Sequence, residues 1–154
     1  MTESSLWFTM HLIFIFMGLA AFVMALLSAV MYLVQSSQLK SKHPGALSLK
    51  LPSLDALDRL HFRSLSLGVL LFSLGIASGL YRARDLNEAG LILRDPRVVL
   101  SFLTCLLYWI IFGLRLLAIR RGQKIALGTL LVFILLFMTV TSSYVAPSAF
   151  HRGL

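Results

Sequence analysis

The chain is predicted to be an all-α, polytopic membrane protein, with four transmembrane helices in an antiparallel bundle. Four apolar runs, residues 6–35, 64–81, 98–118 and 125–146, fill most of its 154 residues. Each approaches or exceeds the roughly 20 residues that cross hydrocarbon as a helix. With a mean hydropathy of +0.89, 58% apolar residues and 13% charged ones, the chain has too little polar surface to cover a core of its own. Basic clusters abut the runs, the arrangement expected of spans flanked by topology signals.

The first run opens on Leu6, Trp7 and Phe8, lacks a basic segment before it and is too long for a cleavable signal peptide, so it is expected to stay as a helix. Its thirty residues would reach roughly 45 Å at 1.5 Å per residue, so it must tilt or protrude. Ala21, Ala25 and Ala29 recur at every fourth position. The linker 36–63 follows. In it His43-Pro44-Gly45 marks a turn, and Ser53 or Asp55 can cap a helix that starts before the second run. His61 falls in that entry turn, where a hydrogen-bonded or lipid-facing role is the expectation.

In the second run Ser64, Gly68, Gly75 and Gly79 line one face, and the Gly75-x-x-x-Gly79 pair permits close backbone approach. The alanine face of the first helix or a second copy of the chain could meet it. The loop 82–97 carries Arg82, Arg84, Arg94 and Arg97. The third run holds Trp109 and Cys105, the only cysteine, so no disulfide forms within the chain. After the basic turn 115–124 the fourth run completes the even number of crossings.

Nine of the fourteen basic residues lie in segments 36–63 and 115–124. The positive-inside rule therefore predicts that both face the cytoplasm, with loop 82–97 and the two termini outside. The net charge of +8 is read as topology and headgroup contact rather than nucleic-acid binding. None of the six acidic residues lies mid-span, which disfavours a charged ion or proton relay. No phosphate loop, zinc spacing, Ser/His/Asp arrangement or Cys-x-x-Cys-His is present, and no residue is assigned a catalytic role.

Even parity has one consequence for chemistry. His11, near the outer end of the first helix, and His151, five residues beyond the last run, come to the same face. Leu86, Leu91, Ile92 and Leu93 of the outer loop could form a platform beside them, with arginines in reach. Two neutral imidazoles across a gap suit the axial positions of haem iron, and arginines suit its propionates. Anchoring of helix ends by hydrogen bonds is the alternative for both histidines.

Several stretches resemble the membrane core of the cytochrome c assembly family of CcsA and HemX type. They are LDALDRLHFR at 54–63, SLGVLLFSLGIASG at 66–79, HLIFIFMGLAAF at 11–22, YLVQSSQLK at 32–40 and YVAPSAFH at 144–151. The resemblance covers nearly the whole chain. It implies non-covalently bound b-type haem held by His11 and His151 on the outside of a bacterial inner membrane. An apocytochrome c would be the recipient. The family's tryptophan-rich loop, of the form W-D-P-K-x-x-W at its end, is matched only by Asp95, Pro96 and Arg97. Arg94, Ile92 and Leu100 stand where tryptophans would be. Asp95, Arg97 and Arg94 are thus the loop residues expected near the cofactor.

Family members carry further N-terminal helices, so the chain looks like the C-terminal half of the family fold, and a partner membrane chain is expected to supply the rest. The resemblance leaves two other roles open. One is a HemX-like regulator of haem biosynthesis, acting through the basic inner segment 40–63. The other is a structural subunit of a larger membrane complex, in which the Gly and Ala faces dock to neighbours. Any enzymatic part would be positioning within a haem-attachment machinery.

Overall fold

A computed structural model describes residues 3–40, 52–85, 96–117 and 122–145. It is all-α, with helices α1 (Glu3–Lys40), α2 (Leu54–Asp85), α3 (Pro96–Leu116) and α4 (Gln123–Val145). All four are long and apolar enough to cross a membrane. Successive helices pack side by side, α4 closes back on α1, and the α1–α2 pairing is the most extensive.

The helices run past the apolar sequence because hydropathy marks the hydrocarbon slab, whereas backbone hydrogen bonding continues until a cap ends it. Lys40, in the polar linker, still belongs to α1, and α2 begins ten residues before its apolar run. At that start Ala56 donates its backbone N–H to Ser53 Oγ at 3.3 Å, so Ser53 is the N-cap. Pro96 opens α3, where its missing N–H costs no helical bond. Gly122, at φ 70°, turns the chain into α4; its left-handed backbone and the Tyr32 hydroxyl, 2.7 Å from where a Cβ would stand, both exclude a side chain.

The small-residue faces meet within the chain. Ala21, Ala25 and Ala29 are buried. Gly68 receives the Phe22 ring, Gly75 receives Ile15, and Gly18 lies against the backbone of Phe72. This interdigitation occupies the glycine face that could otherwise have served a homodimer. Phe22 is fully buried, stacks on Tyr108 at 3.9 Å between centroids and meets Phe72 edge-on at 5.7 Å. Leu65, Val69, Ile111, Ile125, Val132 and Leu136 complete the core.

Only 33% of the apolar windows of α1, α2 and α4, and 17% of that of α3, is buried inside the protein. Phe16, Leu106, Leu131 and Phe137 point outward. Lipid must cover this surface, since no solvated fold of this size leaves so much of it bare. Hydroxyls in the slab fold back on their own helices. Ser28, Ser66, Ser73, Thr129 and Thr139 each donate to the carbonyl four residues earlier.

Candidate functional site

At the end of the bundle formed by the start of α1 and the close of α2, His11 lies in the groove between the two helices. Its Nδ1 is 2.7 Å from the Gly75 carbonyl oxygen. A carbonyl can only accept, so Nδ1 carries the proton and Nε2 keeps its lone pair. The groove admits the ring because α2 has no side chain there: a Cβ on Gly79 would stand 2.9 Å from His11 Nδ1 and 3.0 Å from Cε1. Ser78, itself buried, donates its hydroxyl to the same Gly75 oxygen at 2.8 Å. One turn outward Trp7 meets Tyr81, with ring centroids 4.4 Å apart. Both rings are exposed on their outer faces, as suits the polar–apolar boundary of a bilayer.

This arrangement leaves an imidazole oriented by a carbonyl through Nδ1, with the lone pair on Nε2. Iron-ligating histidines are held this way, because the second hydrogen bond fixes the tautomer and raises ligand basicity. A neutral imidazole with Nδ1 engaged has the chemistry to hold a metal or haem iron through Nε2. Among the described residues no group of three or more His, Cys, Asp or Glu could hold a metal ion. His151, Asp95 and Arg94 lie outside the described residues, as do His43, Leu86, Leu91, Ile92 and Leu93. Arg97 is the second residue of α3, and Arg82 and Arg84 belong to the last turn of α2.

The opposite end is polar and tied across helices. Arg115 at the close of α3 holds Asp58 of α2 through both nitrogens, with Nη1 to Oδ1 at 2.6 Å and Nη2 to Oδ2, and its guanidinium lies over the Phe62 ring at 5.5 Å. Arg59 pairs with Asp55 one turn away at 2.8 Å. Lys40 donates to Gln123 Oε1 at 2.7 Å, joining α1 to α4. His61 is buried, and its Nε2 lies 3.0 Å from Thr129 Oγ1. Because that hydroxyl donates to the Ile125 carbonyl at 3.1 Å, His61 Nε2 is the donor and the ring bridges α2 to α4. An open cleft of about 290 Å³ lies here, lined by Tyr32, Leu54, Asp55, Asp58 and Gly122. Its two carboxylates already have arginine partners.

Sequence reasoning singled out His11 and the Gly75/Gly79 face separately and did not join them. The available signal was register: His11 stands one turn before Ile15 on α1, and Gly79 one turn after Gly75 on α2, so an antiparallel contact of Ile15 with Gly75 brings His11 to Gly79. The Asp58–Arg115 pair was also missed. Both residues were assigned to one membrane face, which left them free to pair.

The family model for cytochrome C assembly protein matches residues 1–151. No curated protein and no solved structure matches the chain.

Proposed function

The chain belongs to the cytochrome c assembly protein family, and from that premise we propose that it is a haem-handling protein of cytochrome c maturation that holds haem at its outer face between His11 and His151. The observation that carries this reading is the His11 ring, fixed through Nδ1 on the Gly75 carbonyl with the Nε2 lone pair left to a ligand. His151 would supply the opposite imidazole, Arg94 and Arg97 would meet the propionates, and Asp95 would stand with them among the loop residues at the cofactor. The cofactor would be b-type haem, held without covalent bonds.

When bound, haem supplies a ligated iron and the vinyl groups across which the thiols of an apocytochrome Cys-x-x-Cys-His add. The work of this chain is to bind and orient. His11 would hold the iron with a set tautomer, and the α1–α2 groove would keep the ring from rotating. Trp7 and Tyr81 anchor the helix ends at the boundary where an apocytochrome approaches. The positive-inside bias supports placing this end on the outside of a bacterial inner membrane, with both termini external. The four spans would act as a single transmembrane unit, 1–154.

A HemX-like regulatory role is favoured by one observation, the exposed basic rim of Lys40, Arg59, Arg63 and Lys124 at the inner end. Absorption spectra of the purified full chain, oxidised and reduced, separate the two readings when run beside His11→Ala and His151→Ala. Haem holding predicts a six-coordinate signature lost in both variants. A colourless protein from haem-replete cells sinks that reading and leaves the inner rim as the working surface.

A further inference from the structure

The carbonyl that orients His11 is shared. Gly75 O receives Nδ1–H of His11 at 2.7 Å and the Ser78 hydroxyl at 2.8 Å. The continuity of α2 also aims the Gly79 N–H at the same oxygen. A carbonyl oxygen has two lone pairs, so three donors divide its accepting power. Ser78 is buried, which keeps water from taking its place. Serine in a helix commonly turns its hydroxyl to its own backbone, but here that oxygen is the one that holds a functional ring from another helix.

We infer that Ser78 is a positioning residue that sets the strength of the His11–Gly75 hydrogen bond, and through it the donor strength of His11 Nε2. This rests on the reading of His11 as an iron ligand only in its second half; the hydrogen-bond coupling exists with or without haem. With the hydroxyl in place, Gly75 O divides its accepting power and pulls less on the Nδ1 proton than an unshared carbonyl would. With it removed, the carbonyl accepts more strongly, Nδ1–H lengthens and the ring gains imidazolate character. A more basic ligand favours ferric over ferrous iron, so the reduction potential of bound haem falls.

The variants are Ser78→Ala, Ser78→Cys, a weaker donor, and Ser78→Thr, which keeps the hydroxyl. In the haem-free full chain, proton–nitrogen spectra of labelled histidine assign the His11 Nδ1–H by its loss in His11→Ala. The expected result is a downfield shift of that proton in Ser78→Ala, a smaller one in Ser78→Cys and a wild-type position in Ser78→Thr. In haem-loaded protein the midpoint potential should fall in the same order. An Nδ1–H resonance unmoved in Ser78→Ala overturns the coupling, whatever the protein does with haem. A shifted resonance in a chain that takes up no haem supports the coupling and overturns the haem reading alone. A shifted resonance with an unchanged potential overturns the extension to the iron.

Discussion

Gly79→Ala tests whether the His11 seat is a functional device or simply a well-packed helix contact. The added Cβ would stand 2.9 Å from His11 Nδ1 and 3.0 Å from Cε1, against an ordinary separation of about 3.5 Å. The ring must retreat by roughly half an ångström or more. Its 2.7 Å bond to Gly75 O then lengthens toward the limit of about 3.2 Å for such bonds. Losing that bond costs about 1 kcal/mol, while Ala in place of Gly within a helix returns about 1 kcal/mol. Net stability should therefore hold while the ligand is misplaced. A lost second-sphere bond of this type weakens metal affinity by about 10–100-fold.

The assay is haem titration by absorbance beside thermal unfolding in detergent, with Gly113→Ala as control, since a Cβ there meets nothing within 4 Å. The expected pattern is a weak haem complex with near wild-type unfolding temperature in Gly79→Ala, and normal binding with an equal or higher unfolding temperature in Gly113→Ala. Wild-type haem affinity in Gly79→Ala, with the bundle intact, would refute the argument.

Two further outcomes follow from the Asp58–Arg115 end of the bundle and from topology. Arg115→Ala leaves the half-buried Asp58 carboxylate without its bidentate partner and should cost roughly 1–3 kcal/mol of bundle stability, between the values for exposed and buried pairs; adding Asp58→Asn should recover part of it, and an unfolding curve that does not respond to the second change counts against the ion pair. In a Cys105→Ala background, an impermeant maleimide applied to intact cells should label Pro96→Cys and spare Ser37→Cys; the reverse pattern would turn the protein over and remove His11 from the outer face.

How far the sequence reached is clearest at the paired small-residue faces. Alanine at every fourth position of α1 and glycine on one face of α2 are visible as a pattern, because close helix approach requires residues without bulk. The pattern left open whether the glycines face this chain or another copy. In the folded bundle Phe22 fills the Gly68 notch and Ile15 the Gly75 notch. His61 shows a different limit: its place in an entry turn was legible, but its bond to Thr129 links residues 68 positions apart. No local pattern carries such a pairing.

Span number, the approximate place of each span and the charge bias between loops follow from residue order alone, since each reflects the free energy of moving individual groups between water and hydrocarbon. The tautomer of His11, the carbonyl it shares with Ser78 and the clasp of Arg115 on Asp58 arise from contacts between helices, where distances of a few tenths of an ångström decide whether a bond exists. Such distances depend on how the faces of α1, α2 and α3 settle against one another. Composition and hydropathy do not encode them.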